Sequence, residues 1–266
     1  MNLNKTEKIL FIKSAMLIVV VIATYFTFSG YAINQGFNPS DEGVVLSQSW
    51  RLLNNEVPHK DFISIRPVGS GFIHQLDHIL PYPLITTSRI IAAMEYVFIS
   101  IAWAFLLISV CNRYIAENIK KIVYPSVILV TVIFNLNNGP IFTWTTTDAL
   151  LLTTIGLIFI YSFLYSKTQG NKWLNQALPA IVLCMCAALC RQTFALPAVL
   201  TSALFLFNKS HKISAPYRLL WLIAGSAPIL FYFFYLLSYQ ALGAFFMQMS
   251  GRTELFETGF ITYVKS

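Results

Sequence analysis

Two acids stand side by side in a chain that has few of them. Asp41 and Glu42, in the stretch NPSDEGVVLSQSW, follow closely on the first long apolar run. A carboxylate fixed where a membrane span meets water can take a proton from a hydroxyl as a general base, or ligate a divalent cation. The same pair can also be plain helix-start acids, gaining about 0.3–1 kcal/mol each from the helix dipole. Arg191, in CRQT, carries a guanidinium fork suited to phosphate oxygens, or ends a helix by snorkelling to the interface. Lys60 and Arg66 offer further cations, and Asp61 a further acid, between the first two apolar runs. Asp148 follows three threonines at the start of another run, either as a helix-start acid or as the polar wall of a site.

Two more groups carry chemical promise. Glu95 lies some ten residues into the second apolar run, about 15 Å deep at 1.5 Å per residue. Such a carboxyl should face the interior and be paired or protonated, with Arg191 as a partner. HQLDH puts His74, Asp77 and His78 at i, i+3 and i+4, on one helix face. Zinc ligands use that spacing, but no third ligand follows at a fitting position. The expectation is therefore histidines at the membrane surface. Cys184, Cys186 and Cys190 share one apolar run and read as small apolar residues.

The elements that must hold these groups are set by composition. The chain is 56% hydrophobic and only 11% charged, against about 25% charged in an average soluble domain. So much apolar surface asks for lipid. The formal charge of +7 is not gathered into a basic stripe, which argues against nucleic acid. Apolar runs near 12–32, 85–110, 121–137, 147–166, 176–190, 192–208 and 217–238 predict an all-α integral membrane protein of about seven transmembrane helices. The first run is too long for an ordinary signal peptide, so SGYA is read as following an uncleaved anchor. Eleven of the 18 basic residues then fall on one side, which puts the N-terminus in the cytoplasm.

The membrane module spans 1–240, with a long external loop at about 33–84 and an external interfacial tail at 241–266. Within the loop, Ser40 is the expected N-cap of a short amphipathic helix carrying Val45, Leu46, Ser49, Trp50 and Leu53. RPVGSG breaks the chain, FIHQLDHIL forms a second short helix, and PYP stops it.

A polytopic chain with NPSDEGVVLSQSWRLLNNEVPHKDFISIRP after its first span resembles the bacterial GT-C glycosyltransferases, relatives of the protein O-mannosyltransferases and the lipid A aminoarabinose transferases. The resemblance rests on Asp41-Glu42, RLLNNEVPHKDF and RPVG, and continues in TWTTTDALLL and CRQTFALPAVL. It implies a GT-C-like module in a bacterial inner membrane. The donor would be a sugar on a polyprenyl phosphate or pyrophosphate, and the acceptor a glycan, lipid or protein. Asp41 would be the base of an inverting transfer, with Glu42 beside it. Arg191, Arg66 and Lys60 would be the cations for the lipid phosphate, Asp148 a polar wall of the sugar site, and Asp61 the family's second loop acid, which binds lipid phosphate or sugar. A divalent cation at Asp41 is compatible with the wider group.

Family members usually continue with further spans or an external domain. The expectation is thus a minimal member, a fragment, or a core completed by a partner subunit. Two other classes stand beside this reading, a transporter or flippase of lipid-linked sugars and a non-catalytic assembly subunit.

Overall fold

The computed structural model describes residues 5–29, 36–138, 141–165, 174–207 and 215–250. Gly30 and Ala32 of the cleavage motif, the inside-loop lysines Lys167, Lys172, Lys209 and Lys212, and the tail beyond 250 lie outside the described residues. Among the described residues the fold is helical and carries no strand.

The apolar runs all become helix. They are α1 (Lys5–Ser29), α5 (Leu84–Cys111), α6 (Lys120–Asn138), α7 (Thr145–Tyr165), α8 (Leu174–Cys190), α9 (Ala195–Phe207), α10 (Ala215–Gly225) and α11 (Ala227–Ser238). The loop after α1 supplies α2 (Glu42–Leu53), α3 (Gly69–Ile73) and α4 (Gln75–Ile79). Three helices, α5, α6 and α7, are each long and apolar enough to cross a membrane, and α10 with α11 makes a fourth if that bent pair is one span. These are the helices of a membrane protein. Helices α8 and α9, at 17 and 13 residues, are shorter.

Helix α6 shows why lipid is the fitting solvent. It buries Tyr124, Ile128 and Val132, one turn apart, against α1 and α5, yet exposes Val130, Ile133 and Phe134. Its outer face is as apolar as its inner one, which water would not tolerate over such an area. The bundle runs on through α5, α7 and α8, with α9, α10 and α11 packed on the far side of α8.

The chain departs from the expected elements at three places. Asp41, not Ser40, is the N-cap of α2, and it makes no side-chain cap bond. The Asn38 carboxamide accepts the Ser40 and Asp41 N–H groups instead, so the turn is closed one step earlier. HQLDH is not one helix, because α3 and α4 are five residues each and break at His74. The run 217–238 bends by 57° between α10 and α11. Ser226 interrupts it and Pro228 restarts it in the first turn, where a missing N–H does no harm.

The loop between α1 and α5 lies over the ends of α5, α7 and α8. Helix α2 buries Val45, Leu46 and Leu52 against α3 and α4, and leaves Trp50 exposed. Gly69 lets α3 touch α8. A Cβ at this position would stand 2.6 Å from the Leu189 carbonyl carbon and 2.7 Å from the Cys190 nitrogen. His59 locks the other side of the loop. Gln248 donates to the His59 carbonyl, which turns its amide oxygen toward Nδ1 of the same residue at 2.9 Å. Nδ1 therefore carries the proton, and Nε2 accepts from the Tyr232 hydroxyl at 2.9 Å. Burial holds His59 below the usual imidazole range, against the pull of its hydrogen bonds to Gln248 and Ser64.

Candidate functional site

The two opening acids have different fates. Glu42 is fully buried and grips Arg89 of α5 through both carboxylate oxygens, at 2.8 Å from Nε and 2.9 Å from Nη2. The Asn38 N–H reaches the same carboxylate at 3.3 Å. Where the sequence set Glu42 beside the base as a catalytic acid, the structure buries it and ties it to Arg89, away from any open surface. Asp41 is the half-buried neighbour at the mouth of α2, with its side chain uncommitted to the cap. The ion pair thus fixes Asp41 near the N-terminal end of α5.

The arginines converge on α7. Arg66 donates from Nη1 to the Thr145 hydroxyl at 3.0 Å. Arg191 donates from Nη1 to the Thr146 hydroxyl, and its guanidinium lies 5.5 Å from the Trp144 ring centroid. Two cations from separate elements therefore meet consecutive residues at the N-terminus of a 21-residue helix. Helix N-termini already favour anions. Arg191 stands at the junction of α8 and α9, where the chain is extended for one residue before a short 3-10 turn.

One turn deeper lies a group that sequence reasoning treated as separate parts. His74 is fully buried between two acids, with Nδ1 at 2.9 Å from Asp77 Oδ2 and Nε2 at 3.1 Å from Asp148 Oδ1. Glu95 meets Asp148 carboxyl to carboxyl, with His74 and Asp77 as its other charged neighbours. This corrects two expectations. Glu95 faces these groups while Arg191 turns to Thr146 and Trp144, and His74 is an interior histidine rather than a surface one. Burial lowers the His74 pKa, but the Asp148 and Asp77 carboxylates outweigh it and push it up to about 10. His78 is half-buried at the edge of this group, where it bonds Ser49 Oγ at 2.9 Å.

The remaining loop residues are local. Asp61 accepts the Val57 N–H at 2.7 Å and so closes its own turn. Both Asp61 and Lys60 have exposed side chains. Below the polar cluster, an apolar groove of about 550 Å³ opens between α1, α5 and α7, lined by Phe11, Phe98, Phe105, Leu151 and Ile155 among others. It begins about one helical turn past Glu95 and Asp148.

No family model, no curated protein and no solved structure matches this chain. Its chemistry is therefore read from its own residues.

Proposed function

We propose that this protein is an inverting glycosyltransferase. Its donor is a sugar on a polyprenyl phosphate or pyrophosphate, and its seven apolar helical segments form a GT-C-like module in a bacterial inner membrane. Asp41 takes the proton from an acceptor hydroxyl. The acceptor oxygen then forms its bond to the anomeric carbon as the bond from that carbon to the phosphate oxygen breaks, and the lipid phosphate leaves with the electron pair. General-base help of this kind is worth about 10²–10⁴-fold.

One observation carries the reading, the meeting of Arg66 and Arg191 on Thr145 and Thr146 at the start of α7. Two guanidinium groups and a helix N-terminus form a place for a phosphate that gains charge as it departs. The apolar groove between α1, α5 and α7 supports the reading, since a prenyl chain needs such a wall. The buried Glu42–Arg89 fork supports it too, by holding Asp41 at the same end of the bundle. Arg66→Gln and Arg191→Gln should each weaken binding of polyprenyl phosphate by roughly tenfold, with Arg191→Lys intermediate because an ammonium lacks the fork. Equal binding by wild type and the Arg66→Gln, Arg191→Gln double variant would remove the phosphate site.

A transporter of lipid-linked sugars is the second reading, favoured by one feature. Buried titratable groups at membrane depth often serve proton-coupled transport, and His74, Glu95 and Asp148 are such groups. Sugar-lipid flux across proteoliposomes without transfer of the sugar would favour it over the transferase.

A further inference from the structure

His74, Glu95 and Asp148 come from three separate elements, the break between α3 and α4, then α5, then α7. They present one nitrogen and two oxygens within 4.8 Å of one another. Each of the three residues is buried, at 0%, 6% and 1% exposure. Among the described residues, Glu95 Oε2 and Asp148 Oδ2 find no hydrogen-bond partner, although both are shut away from solvent. A buried carboxylate oxygen left without a partner is costly, and two carboxyl groups in contact need a cation or a proton between them. Asp77 adds a further point. It bonds Nδ1 of His74 at 2.9 Å, which leaves Nε2 turned toward Asp148 and Glu95. A carboxylate behind a histidine, fixing its tautomer so that the other nitrogen is free, is the usual support of a metal-bound imidazole.

We propose that His74 Nε2, Glu95 and Asp148 bind one divalent transition-metal ion, with Asp77 as the support of His74. A nitrogen with two carboxylates suits zinc or manganese better than magnesium, which prefers oxygen alone. Zinc bonds of roughly 2.0–2.2 Å require these three atoms to draw closer together than their present limit of 4.8 Å. Three protein ligands leave a position open, as in catalytic zinc sites. The ion displaces the Nε2 proton of His74 and the proton between the Glu95 and Asp148 carboxyls, and it offsets two of the three negative charges of Asp77, Glu95 and Asp148. The inference stands apart from the transfer reading, because it concerns binding and not turnover. It also moves the cation from Asp41, where the sequence had placed it, to the interior.

The test uses the full chain purified in detergent without chelator. Elemental analysis of the wild type should find about one zinc or manganese per chain. A chelated sample should regain thermal stability on addition of Zn²⁺ or Mn²⁺, and much less on Mg²⁺. Co²⁺ in its place should give visible absorption bands from a coordinated imidazole and carboxylates. Glu95→Gln and Asp148→Asn keep the side-chain shapes and should lower occupancy by at least about tenfold, and Asp77→Asn should weaken affinity by about 10–100-fold. Asp41→Asn should leave occupancy unchanged. A wild type that holds no metal and does not respond to Zn²⁺, Mn²⁺ or Co²⁺ would overturn the site and leave the cluster to protons. Metal retained in Glu95→Gln and Asp148→Asn but lost in Asp41→Asn would overturn it as well, since the ion would then sit at the loop acid.

Discussion

At the scale of single residues, neighbouring acids with the same chemistry are given different work by burial. Glu42 is sealed against Arg89 while Asp41 stays at the mouth of its helix. Removing one partner of a buried pair strands the other charge and costs about 3–5 kcal/mol, whereas replacing both with apolar groups of similar volume is often near neutral. Arg89→Ala should therefore lower the denaturation midpoint in detergent sharply, and Arg89→Met with Glu42→Leu should recover most of the loss. If Arg89→Ala costs no more than a surface substitution, the fork does not anchor the loop. His59 gives a prediction with a sign. Its pKa in the fold lies below the unfolded value of about 6.5. Between those two values the unfolded chain binds more protons, so stability rises with pH there. The contribution of neutral His59 is complete above the unfolded value and lost as pH falls toward the folded one. Thermal unfolding followed from pH 7.5 down to pH 5.5, a window of about two units set by that ordinary value, should show a decline that His59→Gln lacks.

At the scale of elements, close approach decides how the loop seats on the bundle. A Cβ at Gly69 would enter the backbone of Leu189 and Cys190, and no rotamer change can relieve a backbone clash. Gly69→Ala should push α3 away from α8 and disturb His74 and Arg191 together, read as a loss of stability of about 1–3 kcal/mol. A Gly69→Ala variant as stable as wild type would show that the contact is looser than the geometry implies. The helices themselves were largely legible in the sequence, since long apolar runs and Pro or Gly breaks are local signals. The bend before Pro228 was missed, because hydrophobicity on both sides of it joined α10 and α11 into one run. The site was legible only in parts. His74, Asp77, Glu95 and Asp148 each stood out by type and depth, yet His74 and Asp148 are 74 positions apart and nothing local announces their contact. The same limit left Arg191 as a possible partner of Glu95, whereas the structure turns it to the Thr146 hydroxyl and the Trp144 ring.

At the scale of the whole molecule, the groups of the candidate site lie at one end of the bundle, and a second buried polar group of Glu7, Asn112, Lys120 and Tyr124 lies at the other. The basic residues of the sequence are what predict the sidedness, with the loop between α1 and α5 outside. Lys60 and Lys121 are both exposed and stand on opposite sides in this orientation. In right-side-out vesicles, Lys60→Cys should react with an impermeant maleimide above the native cysteine background, and Lys121→Cys only after permeabilisation. The reverse pattern would place the site in the cytoplasm and exclude a donor presented outside. The most direct test of the transferase account is single-turnover sugar transfer from labelled polyprenyl-linked donor in proteoliposomes with host membrane acceptors, comparing wild type with Asp41→Asn at equal folded yield. The account predicts transfer by wild type and a loss of about 10²–10⁴-fold in Asp41→Asn, with donor binding retained. Wild-type rates in Asp41→Asn would contradict it.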